Sequence, residues 1–252
     1  MMGFKKKNNE KKLPDPLQRA GVRLKICGMK YPENIASVAA LKPDYMGFIF
    51  YEQSLRNFEG DIPEISKNIK RTGVFVNAPI AYILDKIQRY NLHAVQLHGQ
   101  ESADYCEELK RHYEEQSDQV ISSKKMQPHN TRDRNDDLLE IIKAFSIKDR
   151  FEFEVLKPYE KVCDYYLFDT KGKLPGGNGY TFDWSVLNEY PSKKPFFLSG
   201  GIGSEAVENI LSFLQKKESH YCYAIDVNSK FEVEPGLKDI EKLKEFISNL
   251  SC

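Results

Sequence analysis

The chain has 252 residues, 40% of them hydrophobic, and its 37 basic (Lys plus Arg) and 37 acidic residues give a formal net charge of zero. That length supports one substantial core, and a neutral chain lacks the summed field that recruits nucleic acid or an anionic membrane surface, so neither is expected as a partner. Any anion it binds must be held by local geometry, which points to a small ligand.

In chain order, residues 1–22 are basic and polar as far as the Pro14-Asp15-Pro16 punctuation. They are read as a solvated tail, with no apolar segment of a secretory signal behind the basic start. From residue 23, short β-branched or aromatic runs alternate with amphipathic stretches. Strands are predicted at residues 23–27, 45–50, 71–76, 94–97, 140–145, 164–168, 196–199 and 221–226. These runs lack polar alternation, as expected of a parallel sheet covered by helices. Helices are predicted at 31–41, 79–90, 204–215 and 237–250, the third opening on Ser204 as candidate N-cap. Residues 112–137 are polar and are read as a lengthened surface connection into the fifth strand. Eight strands with intervening helices in roughly 230 residues is the count of a single-domain α/β fold, the (β/α)8 or TIM barrel, spanning 23–252. An open doubly wound sheet predicts the same alternation.

No apolar run is long enough to span a membrane. Cys27, Cys106, Cys163, Cys222 and Cys252 are widely spaced with no C-x-x-C, so a reducing cytoplasm suits them better than a disulfide framework. The five histidines form no metal-like cluster with them, and no metal site is expected. Monomer and homodimer are both compatible with the sequence.

Barrel enzymes carry their reactive groups at the C-terminal ends of the strands. Strand one ends in Lys25-Ile26-Cys27-Gly28, with a thiol at the mouth and a residue beside it that turns sharply. A free Cys alone is more often a small buried hydrophobe. Strand six ends in Phe168-Asp169-Thr170, where a carboxyl either caps a loop or serves as an acid. Set across one mouth, the two look like a base and an acid. Ser199-Gly200-Gly201-Ile202 after strand seven and Asp226-Val227-Asn228-Ser229 after strand eight stand where many barrels bind phosphate. The same glycines also read as an ordinary turn. A further loop, Gly176-Gly177-Asn178-Gly179, is no P-loop, since no Gly-Lys-Ser/Thr follows. Arg56 is placed to fork onto a carboxylate or to sit in solvent, and His98 to serve as structural histidine or ligand contact.

Taken in order, these segments resemble the phosphoribosylanthranilate isomerase family. Lys25-Ile26-Cys27-Gly28, Gly47-Phe48-Ile49-Phe50 through Ser54-x-Arg56, Gly73-Val74-Phe75-Val76-Asn77, Val95-Gln96-Leu97-His98-Gly99, Phe168-Asp169-Thr170, Gly176-Gly177-Asn178-Gly179 with Phe182-Asp183-Trp184, Leu198-Ser199-Gly200-Gly201-Ile202 and Asp226-Val227-Asn228-Ser229 with Glu232, Pro235-Gly236 and Lys238-Asp239 carry the likeness. The resemblance implies an Amadori rearrangement of a phosphorylated small molecule in tryptophan biosynthesis, with no metal or organic cofactor. By carry-over Cys27 is the general base and Asp169 the general acid. Arg56 meets the anthranilate carboxylate, His98 contacts the ligand, and Gly200, Gly201, Asp226 and Ser229 build the phosphate end. The chain departs from the family pattern at Leu55, usually Pro, at Asn178, usually Thr, and at Lys230, usually Gly. A looser Arg56 loop is therefore expected, and at Lys230 either an altered final loop or an extra charge that assists phosphate binding. Other phosphate-binding barrels, or a barrel that binds such a ligand without catalysis, are the competing readings.

Overall fold

All eight predicted runs form strands in the computed structural model, which describes residues 21–124, 138–148, 150–170 and 183–250. They are β1 (Arg23–Ile26), β2 (Tyr45–Ile49), β3 (Lys70–Phe75), β4 (Ala94–Leu97), β5 (Glu140–Ile147), β6 (Tyr165–Thr170), β7 (Phe196–Leu198) and β8 (Cys222–Val227). Each pairs in parallel with the next, and β8 returns to β1 with Lys25 opposite Asp226 and Ile26 opposite Val227. That closing ladder makes the sheet a barrel and excludes the open alternative. β6 runs two residues beyond its predicted end, so Asp169 lies within the strand, opposite Ser146, and not in the loop.

Alternation along the strands sorts the side chains. Leu24, Ile26, Ile225 and Val227 belong to the large apolar cluster between sheet and helices. Ala224 belongs to a smaller cluster with Tyr45, Ala94, Ile142, Ala144, Leu167 and Phe197, and Lys25 and Asp226 share its inward parity. At the N-terminal end, Tyr45 donates to Glu140 (3.0 Å), its ring meets that of Phe197 edge-on, and Arg23 lies 4.2 Å over the ring of Tyr223. Aromatic rings thus fill the barrel floor and leave the strands' C-terminal ends for a site.

The helices are α1 (Pro32–Ala39), α2 (Ile80–Tyr90), α3 (Ala103–Lys124), α4 (Val207–Leu214) and α5 (Ile240–Leu250). α1 starts on a proline, whose missing N–H costs nothing in a first turn, and α2 ends on Asn91 in the left-handed region. Three readings need correction. Half of the predicted polar connection is helix: α3 continues to Lys124, with Tyr113 packed against the core, Glu114, Glu115, Gln116 and Gln119 favouring helix, and His112 3.5 Å from both Glu108 and Glu115. Residues 125–137 of that connection lie outside the described residues. Leu237–Lys238 is not helical but forms β10, antiparallel to β9 (Glu232–Glu234), with Gly236 turning at φ +93° between them. Ser204 caps nothing: a 3-10 turn, Ser204–Ala206, precedes α4, and the buried Ser204 hydroxyl has no hydrogen-bond partner in the structure. No helix follows β2, and 3-10 turns (Phe153–Tyr159 and Trp184–Glu189) follow β5 and β6. Apart from its last two residues, the tail read at 1–22 lies outside the described residues. Among those described, no helix is long and apolar enough to cross a membrane.

Candidate active site

Cys27 is the first residue beyond β1, and its amide donates to Val227 O (2.9 Å), so the thiol is fixed on the rim between β1 and β8. Gly28 then turns at φ +78°, in a space where a Cβ would meet Asn228 Oδ1 at 2.5 Å and Arg56 Cδ at 2.9 Å. Gly47 on β2 stands on the other side, and a Cβ there would lie 2.6 Å from Cys27 Sγ. Below the thiol, Lys25 is fully buried and its ammonium donates to Asp226 Oδ2 at 2.8 Å. Burial works against that ammonium, but Asp226 and the Cys27 sulfur hold it charged above its ordinary range. For Cys27, burial pushes the thiol up; Lys25 and Lys238 pull it back down, and Asp226 adds to the rise. Asp226 Oδ1 is buried with no hydrogen-bond partner in the structure.

Asp169 reaches the mouth from β6. Its Oδ1 accepts from the Thr170 amide (2.9 Å), and its Oδ2 lies 3.3 Å from His98 Nε2. His98 follows β4, anchored by its amide to Phe75 O (2.8 Å), and its Nδ1 lies 2.7 Å from Gln96 Nε2. The imidazole thus lies between the Gln96 amide on one edge and the Asp169 carboxyl on the other.

Arg56 forks onto Glu232: Nε lies 2.9 and 3.0 Å from the two carboxylate oxygens and a terminal nitrogen 2.6 Å from Oε2. The Arg56 amide also donates to Ser54 Oγ (3.2 Å), and Lys30 Nζ donates to Leu55 O (3.1 Å). Without the family's proline, the loop is held by these bonds, and Leu55 itself is exposed. Glu232 also accepts from Lys238 Nζ (2.7 Å), which donates to Asn228 Oδ1 as well. Burial lowers Lys238 to about 8, against the pull of Glu232. The two cations take Glu232 below the usual carboxylate range although burial alone would raise it.

The remaining predicted residues form the other wall. Gly200 (φ +95°) and Gly201 (φ +67°) take left-handed conformations, and a Cβ on Gly200 would fall 2.2 Å from Thr170 Oγ1. Ser229 opens a 3-10 turn, Ser229–Phe231, so Lys230 needs no positive φ there; its ammonium pairs with Glu205 at 3.2 Å. Cys27, Asp169, Arg56, His98, Gly200, Gly201, Asp226 and Ser229 all line one cavity of about 390 Å³, a size suited to a small ligand. Within it, Asp226 Oδ2 accepts from Lys25 Nζ (2.8 Å) and from Ser199 Oγ (3.5 Å), the hydroxyl just before Gly200. The loop at Gly176–Gly179, with Asn178, lies outside the described residues. Lys25, Gln96, Glu232 and Lys238 escaped assignment. Lys25 and Gln96 carry a signal, each a polar side chain within an apolar strand, and Glu232 and Lys238 stand in a segment of the family likeness.

A family model of N-(5'phosphoribosyl)anthranilate (PRA) isomerase matches residues 24–138 and 126–249. The N-(5'-phosphoribosyl)anthranilate isomerase of Parabacteroides distasonis is 41% identical over 236 residues, which cover 90% of this chain and 92% of that protein. The crystal structure of phosphoribosyl anthranilate isomerase from Thermus thermophilus is similar at a TM-score of 0.69 and 25% identity, covering 91% of this chain and 98% of that one. A structure of phosphoribosyl anthranilate isomerase in complex with reduced 1-(o-carboxyphenylamino)-1-deoxyribulose 5-phosphate is similar at a TM-score of 0.65 and 27% identity, over 91% and 98% of the two chains.

Proposed function

The chain belongs to the phosphoribosylanthranilate isomerase family, enzymes of tryptophan biosynthesis, and from that premise we propose that it converts N-(5-phosphoribosyl)anthranilate to 1-(2-carboxyphenylamino)-1-deoxyribulose 5-phosphate, with Asp169 as general acid and Cys27 as general base. The observation that carries the reading is that a carboxyl from β6 and a thiol from the end of β1 line one cavity with a glycine-rich loop and an arginine. Asp169 protonates the furanose ring oxygen, and the ring opens as the nitrogen lone pair forms an iminium. The iminium acidifies the C2 proton, which the Cys27 thiolate removes to give an enolamine. Tautomerisation of the enol to the C2 ketone completes the isomerisation, and the substrate's own nitrogen serves as electron sink.

Binding follows from charge. The phosphate sits against the amides of Gly200 and Gly201 and near Ser229, where no side chain intervenes. Arg56 takes the anthranilate carboxylate, and Glu232 orients its fork. A carboxylate cannot accept from a dianion, so Asp226 serves the sugar: its free Oδ1 accepts a ribose hydroxyl. His98 keeps Asp169 turned toward the ring oxygen. The catalytic unit is the single barrel of residues 23–252. Its described cysteines are free and buried, which suits a reducing cytoplasm.

The test is the loss of anthranilate-type fluorescence as substrate is consumed. Cys27→Ala and Asp169→Asn are each expected to lose about 10²–10⁴-fold in kcat while still binding a reduced product analogue. Wild-type-like turnover in either variant removes that residue from the mechanism.

A further inference from the structure

A thiolate base in a buried site needs a source of stabilisation, since burial favours the neutral thiol. The groups around Cys27 can be taken element by element. β2 offers only Gly47, which leaves room for the sulfur and brings no charge. β8 offers Asp226, which disfavours an anion. β10 offers Lys238, whose ammonium is committed to Glu232 and Asn228. Arg56 is committed to Glu232 through three contacts. Asp169 and His98 lie on the far strands and face each other. On β1 itself stands Lys25, two residues before Cys27, so that its side chain leaves the strand on the same inward face.

A fully buried lysine inside a barrel is costly, and one carboxylate contact does not use its three donors. We propose that Lys25 is the cation that stabilises the Cys27 thiolate, a positioning residue for the base, with Asp226 as the counter-ion that keeps the ammonium in place. This rests on the reading of Cys27 as general base given above. The inward parity of residues 25 and 27 aims both side chains at the same space. The Asp226 bond fixes one donor of the ammonium and leaves the others free to turn to the sulfur. Among the charges acting on Cys27, Lys25 is also the strongest that favours the anion, ahead of Lys238.

The experiment titrates Cys27 directly, by thiolate ultraviolet absorbance and by the rate of iodoacetamide labelling at Cys27, each taken as the difference from Cys27→Ala. Lys25→Met should move the midpoint to higher pH and slow labelling at neutral pH by about tenfold, the change that one pH unit of displacement produces. Lys25→Arg, which keeps the charge, should restore most of the rate. Should Lys25→Met not fold because it strands the Asp226 carboxylate, Lys25→Met/Asp226→Asn is compared with Asp226→Asn, from which it differs only in the Lys25 charge, and should titrate at higher pH than that single variant. The alkaline rise of kcat should shift with the thiol while KM changes little. An unmoved Cys27 titration in Lys25→Met relative to the wild type, or in the double variant relative to Asp226→Asn, overturns the proposal even if turnover persists. Failure of the wild-type chain to isomerise the substrate would end the substrate reading and leave the titration result standing.

Discussion

Gly47→Ala tests whether the geometry of the thiol, and not its presence alone, matters to the site. The new methyl carbon would lie 2.6 Å from Cys27 Sγ, 3.1 Å from its Cα and 3.2 Å from its Cβ, where ordinary contact begins at 3.4 Å. The two backbones are joined at this level, Met29 N donating to Gly47 O at 3.0 Å, so the strands cannot simply separate. The sulfur must therefore swing, by roughly 1 Å, and a displacement of that size at a reacting group costs on the order of 10²-fold in rate. Overpacking of this kind also costs about 1–3 kcal/mol of stability, or roughly 2–12 °C in Tm for a chain of this size. The assay is the fluorescence progress curve for kcat and KM, with thermal unfolding followed in parallel. KM should change little, since the phosphate and carboxylate contacts are untouched. Removing the sulfur should relieve most of the strain, so Cys27→Ala/Gly47→Ala should be less destabilised than the two single changes add to, by about 0.5–3 kcal/mol of coupling. Wild-type kcat together with wild-type Tm in Gly47→Ala would refute the claim that β2 packs against the base.

At the phosphate end, Gly201→Val places a β-branched side chain at φ +67° and should raise KM strongly; an unchanged inhibition constant for inorganic phosphate would remove this loop from the binding site. Glu232→Gln deprives Arg56 and Lys238 of their shared carboxylate, both contacts being largely buried. It should raise KM more than it lowers kcat and cost about 3–5 kcal/mol in urea denaturation, and an unaltered urea midpoint would count against the pairing. Alkaline stability should fall through the buried thiols, because burial raises Cys106 and Cys163 to about 12. The folded protein keeps protons that the unfolded chain releases near pH 8.5. The contribution is therefore complete below about pH 8.5 and is lost as pH rises toward 12, at up to about 1.4 kcal/mol per unit for each thiol. Tm measured from about pH 8 to 10 should decline, and the slope should lessen in Cys163→Ala; an equal slope in that variant would discount its thiol.

Local pattern carried much of this protein. The eight strands were legible because a parallel strand covered by helices is a short apolar run, and such a run is visible without knowing its neighbours. The strand ends then named Cys27, Asp169, Arg56, His98, Gly200, Gly201, Asp226 and Ser229 as one group, and the barrel rule placed them at one mouth. Where composition misleads, as at 112–124, polarity reads as a connection although Glu114, Glu115, Gln116 and Gln119 favour helix; at Leu237–Lys238 a helical spacing conceals a two-residue strand. What the tertiary structure alone decided was which charges meet. Lys25 and Asp226 are 201 positions apart, and Arg56 and Glu232 are 176 apart. Their pairing follows from the register of β8 on β1 and from the β9–β10 hairpin, not from any period in the chain. Hydrophobic periodicity is set by each element's own geometry and so is written locally. An ion pair depends on two strands closing at one relative height, and that height exists only once the barrel has closed.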